Sequence, residues 1–120
     1  MSLESQLSYQ KQENEEIVTA LLEDGSDPDA LYQIEHHFSS MDFATLEKAA
    51  VELFKKGYEL GEPEELELDD GAKIFCCDVL IEQELMIDRL DEDCEKLMRL
   101  AEELKIQYDG WGTHFISIED

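Results

Sequence analysis

Two rhythms of apolar positions run through the chain, one with a period near 3.6 residues and one with a period of two. Their order lays out a fold. Ile17, Val18, Leu21 and Leu22 stand at i, i+1, i+4 and i+5, one side of a helix over about residues 3 to 23. The first half of that segment is rich in Gln and Glu, which predicts fraying over residues 1–12. Gly25 supplies the left-handed residue that ends the helix, and Pro28 stops its continuation. In "LYQIEHHF", residues 31 to 38, Tyr32, Ile34 and Phe38 alternate with Gln33, Glu35 and His37. That is period two, a strand with one apolar face.

Ser39 then opens a second helix, with Asp42 three residues on in an approximate capping box. Phe43, Leu46, Ala49, Ala50, Leu53 and Phe54 form one apolar stripe. Lys55 and Lys56 suit the helix C-terminus, and Gly57 closes it. "YELGEPEELEL" and "AKIFCCDVLI" read as two strands joined through Asp69, Asp70 and Gly71, an Asp-Gly hairpin signal. Pro63 marks the first of these as an edge strand or a late start. Leu90, Cys94, Leu97, Met98, Ala101 and Leu104 fall on one face of a third helix over about residues 89 to 105. "KIQYDGWGTHFISI" closes as a strand interrupted from Gly110 to Gly112. The order, an N-terminal helix followed by β-α-β-β-α-β, predicts an α+β fold: a ferredoxin-like, split β-α-β sandwich. Its four-stranded antiparallel sheet carries the helices on one face.

Length adds that 120 residues make one domain, 1–120. A 42% hydrophobic content supplies a core. Charge changes the picture more. Nine basic residues against 32 acidic ones give −23. Such a surface repels phosphate backbones and anionic membranes and attracts basic partners. Direct nucleic-acid binding is therefore disfavoured. The cysteines Cys76, Cys77 and Cys94 show no stapling pattern and suit a reducing compartment. The N-terminus lacks a signal peptide's regions and no apolar run reaches about 18 residues, so the expected location is the cytoplasm.

"IEHHF" raises the question of a metal site. In a strand, His36 sits with Ile34 and Phe38, and His37 points the other way with Glu35, so one ion cannot take both. No pair of histidines has the i, i+4 spacing of a helical site. No G-x-S-x-G elbow or Gly-rich phosphate loop is present. Cys76 and Cys94 read as core-facing structural thiols. The expectation is no catalytic residue, no metal and no cofactor.

Three features fit a partner surface. Glu64, Glu65, Asp69 and Asp70 crowd the hairpin, and Asp91, Glu92, Asp93 and Glu95 crowd the third helix start. Acids at a helix start complement the macrodipole, but four in five residues leave a surplus for a basic ligand. Trp111, between two glycines, has two open readings: an exposed anchor for a partner, or a bulge that folds the indole back as core.

"LLEDGSDPDALYQIEHHF" (21–38), "LEKAAVELFKKGYEL" (46–60), "CCD" (76–78) and "YDGWGT" (108–113) resemble the bacterial regulator of ribonuclease activity B family, also called ribonuclease E inhibitor protein B. The resemblance runs from about residue 13 to 115. Family members often end in a longer acidic tail, whereas this chain stops soon after "ISIED", and "SLESQLSYQKQ" matches poorly. The resemblance implies a non-catalytic, ferredoxin-like protein that binds ribonuclease E in its C-terminal, degradosome-scaffolding region. It further implies inhibition of endonucleolytic cleavage and altered degradosome composition and mRNA stability. The nuclease region it implies carries arginine-rich stretches, towards which a chain of charge −23 is steered. The alternative is a ferredoxin-like module that binds RNA or another basic ligand directly, since RNA-recognition domains share the topology. Such a module needs stacking aromatics on the open sheet face, where the third strand offers only Phe75.

Overall fold

The computed structural model describes residues 2–114. Helix α1 (Leu3–Glu23) precedes strand β1 (Tyr32–Ser40), helix α2 (Phe43–Lys55), strands β2 (Glu59–Leu60), β3 (Glu64–Glu67) and β4 (Lys73–Gln83), helix α3 (Ile87–Leu104) and strand β5 (Gln107–Gly112). The part of the last predicted strand beyond residue 114 lies outside the described residues. One antiparallel sheet holds all five strands in the order β2-β4-β1-β5, with β3 also on β4. The fold is α+β.

The predicted single edge strand is two short ones. Glu59 and Leu60 pair with Leu80 and Val79, and Glu64 to Glu67 pair with Cys76 to Lys73. Pro63 stands between them without an N–H to donate, so the ladder breaks there. Counting β2 and β3 as one interrupted strand restores the four-strand order of the split β-α-β arrangement. The hairpin turns through Asp69-Asp70-Gly71, with Gly71 at φ +87 and its N–H donating to the Leu68 carbonyl at 2.9 Å.

Helix ends follow local chemistry closely at two of three C-termini. At Gly25 and at Gly57, both at positive φ, the next residue's N–H reaches five residues back, Ser26 to Leu21 (2.9 Å) and Tyr58 to Leu53 (3.2 Å). Only a residue free of Cβ crowding adopts that turn without strain. Lys105 takes the same role after α3 at φ 63. The expected start of α2 at Ser39 is corrected: β1 continues to Ser40, because Ser39 and Ser40 pair with Cys76 and Phe75. Asp42 is the N-cap instead. Pairing along a long β4 outcompetes a local cap worth about 1 kcal/mol.

Even positions of β1 face the helices. Phe38, Cys77 and Val79 meet Leu46, Ala49 and Leu53 of α2 and Leu97 and Ala101 of α3 in one cluster. Tyr32, Ile34 and Trp111 meet Val18 of α1 and Leu90 and Cys94 of α3 in a second. Tyr108 packs against both clusters. Each fully buried Leu or Phe contributes roughly 1.5–3 kcal/mol. All three helices therefore share one face of the sheet, and the other stays open.

Candidate functional site

Strand alternation sends His36 and His37 to opposite faces. His36 is fully buried and its Nδ1 lies 2.8 Å from the Tyr108 hydroxyl. Burial, with a smaller push from His37, lowers its pKa to about 4. Tyr108 also contacts Cys94 Sγ at 3.4 Å, and Asn14 Nδ2 donates to the same sulfur at 3.6 Å. Asn14 is the hub of this buried network. Its Oδ1 accepts from Trp111 Nε1 at 2.6 Å and from Gln10 Nε2 at 2.9 Å, while its Nδ2 donates to Asp91 Oδ1 at 2.9 Å.

Burial dominates the titration of the groups in and beside this network. Burial raises Cys94 and Tyr108 above their ordinary values and Cys77 to about 11. Among the described residues no group of three or more His, Cys, Asp or Glu is placed to hold a metal ion. One expectation is corrected: Cys77 and Cys94 are the buried thiols, while Cys76 lies half-buried on the open face. Adjacent strand residues cannot both face the core.

The open face is the more distinctive surface. The register places Gln33, Glu35, His37 and Ser39 of β1 beside Ile74, Cys76, Asp78, Leu80 and Glu82 of β4. Glu59 and Glu64 extend it at the edge. The β5 ladder shifts between His37 and Phe38, which turns Asp109 towards Cys76, whose thiol is raised first by burial and then by Asp109, Glu64 and Asp78. Six acids thus share this face, and by the register no described Lys or Arg does; His37 meets Asp78 at 2.8 Å. Phase in the odd strand positions was the sequence signal for Glu35. The register that adds Asp78, Glu59 and Asp109 was not readable.

Phe75 does not lie on this face. Its register parity matches Cys77, and it packs edge-on against Phe43 with ring centroids 5.3 Å apart. The aromatic credited to the open face thus belongs to the helix side.

The two acidic runs are not brought together. The hairpin tip precedes β4 and α3 follows it, so eleven residues of strand hold Asp69 and Asp70 roughly 33 Å from the start of α3, while Glu64 and Glu65, opposite Cys76 and Phe75, lie part-way along. Glu64, Glu65, Asp69 and Asp70 stay exposed at the hairpin. The helix cluster is largely occupied within the chain. Asp91 accepts from Asn14, Glu95 meets Lys11 and Arg99, and Asp93 turns inward beside Arg89. Burial raises the Asp93 carboxyl. Glu92 stays exposed. Because α3 begins at Ile87, its first-turn acid is Asp88, and Asp91 to Glu95 stand a turn further in than the macrodipole account needs. Trp111, 8% exposed, packs in the core and donates to Asn14.

No described helix is long and apolar enough to cross a membrane. Residues 11–113 match the family model described as regulator of ribonuclease activity B. A protein of that name from Shewanella denitrificans is 56% identical over 99% of this chain and 92% of its own length. One from Escherichia coli K12 is 56% identical over 96% of this chain and 83% of its own. A third, from Psychromonas ingrahamii, is 55% identical over 95% and 94%. The chain belongs to the regulator of ribonuclease activity B family.

Proposed function

We propose that this chain is a non-catalytic cytoplasmic regulator that binds ribonuclease E in its C-terminal, degradosome-scaffolding region. Binding inhibits endonucleolytic cleavage and so changes RNA abundance and degradosome composition. Family membership supports a ribonuclease as the target. Beyond the family, one observation carries the reading: an open sheet face with six acids and no described Lys or Arg. A cationic segment laid on that face loses little on desolvation that the acids do not return, and the long-range field of −23 speeds its arrival. Exposed Glu64, Glu65, Asp69 and Asp70 extend the field along the hairpin, and Glu92 stands at the far end. Trp111 is left out of the contact surface because it is buried.

Direct RNA binding is the weaker reading. The open-face positions of β1 and β4 hold no Phe, Tyr or Trp for bases to stack on, and acids there repel phosphate. A cleavage assay separates the readings. Purified chain should slow RNA cleavage by full-length ribonuclease E and leave an enzyme truncated of its C-terminal region unaffected. Equal inhibition of both, or a shift of free RNA in a gel, would reject the proposal.

A further inference from the structure

An apolar cleft lies at the sheet edge, on the helix side beside this anionic surface. It has a volume of about 560 Å³ and is lined by Phe43, Pro63, Glu64, Glu65 and Phe75. Phe43, at the first turn of α2, is 50% exposed, although its ring packs edge-to-face on Phe75. Pro63, which stands in the break between β2 and β3, lines the cleft opposite Phe43 of α2. Val51 and Phe54, 47% and 71% exposed, continue the apolar strip along the same side of α2, since 43, 51 and 54 fall within about 80° on a helix. The Glu65 carboxylate sits 3.7 Å from Lys73, with both side chains more than half exposed, a contact worth little and readily exchanged.

We infer that this cleft receives an arginine side chain of a basic partner segment, its guanidinium over the Phe43 ring and against Glu65, with Glu64 on the adjoining open face. The inference rests on the proposed function and names its point of contact. Two observations select the occupant. An aromatic floor with a carboxylate rim matches a planar cation, which stacks and forms paired hydrogen bonds where an ammonium cannot. A second copy of the chain is disfavoured because it brings another −23 to the same surface. Asp42 at the N-cap offsets the partial positive charge of the α2 N-terminus, which otherwise opposes a cation there.

The test uses nitrogen-15-labelled chain titrated with a short peptide of repeated Arg-Leu-Gly and with its Lys-Leu-Gly counterpart. The arginine peptide should move the resonances of Phe43, Glu64, Glu65 and Phe75 and bind about fivefold tighter than the lysine peptide. Phe43→Ala and the double change Glu64→Gln with Glu65→Gln should each weaken it about tenfold. The glutamines lie on an exposed strand and keep the shape, so they decide the matter even if Phe43→Ala perturbs folding. Shifts confined to another surface, or affinities unchanged in the glutamine variant, would overturn the cleft. The same variants tested on the C-terminal half of ribonuclease E separate the two claims. Wild-type binding retained by the glutamine variant rejects the cleft and keeps the regulator. Absence of nuclease binding, with the peptide still in the cleft, rejects the regulator and keeps the cleft.

Discussion

His36 and Asn14 show how a core can hold polar side chains by giving them partners. Asn14 joins α1 to α3 and β5 through Asp91 and Trp111. Asn14→Ala should cost about 2–4 kcal/mol in urea unfolding, since it orphans the indole N–H and leaves a void. His36 titrates with a defined sign. The unfolded chain takes up its proton near 6.5, whereas the folded chain resists until about 4, so the unfolded state binds more protons within that window. Stability should therefore fall as pH drops from 6.5 to 4, by on the order of 3 kcal/mol more than in His36→Gln. The comparison with the variant cancels the background of acidic groups, and parallel pH profiles would refute it. The opposite faces of His36 and His37 were legible from alternation. The roles of Gln10 and Asn14 were not, because a polar residue in a Gln- and Glu-rich segment reads as solvated until its partner, here 77 positions away in Asp91, is known.

At the level of elements, the sequence was most informative where a single residue type is demanded. Gly25, Gly57 and Gly71 stop two helices and turn a hairpin, each at positive φ. It was least informative where pairing decides. The serines after Phe38 carry a good capping signature, yet β4 is long enough to draw them into the sheet. The start of α3 at Ile87 carries no side-chain cap and so left no signal. Gly110 belongs to the legible class. At φ +109 with open space around it, Gly110→Ala should cost roughly 1–3 kcal/mol through backbone strain alone. Thermal unfolding that leaves the variant level with wild type would show that the bulge relaxes freely. Leu53, fully buried between α2 and the sheet, should lose about 2–5 kcal/mol on change to Ala.

Across the whole molecule, net charge was plain in the sequence, but its arrangement was not. The acids of 64–70 and of 91–95 each read as a surface for a basic partner, and β4 holds the hairpin tip apart from α3. The acids that do converge, Glu35, Asp78, Glu64 and Asp109 among them, are scattered along the chain and meet only through register. The surface that results attracts cations and repels phosphate, which suits a protein acting on a nuclease rather than on RNA. Calorimetric titration of the chain against the C-terminal half of ribonuclease E, repeated from about 0.05 to 0.5 M salt, tests this most directly. Over that range the screening length shrinks from roughly 14 to 4 Å. The account predicts one-site binding whose affinity falls by at least about tenfold as salt rises; an affinity that holds constant, or no binding at the lowest salt, would contradict it.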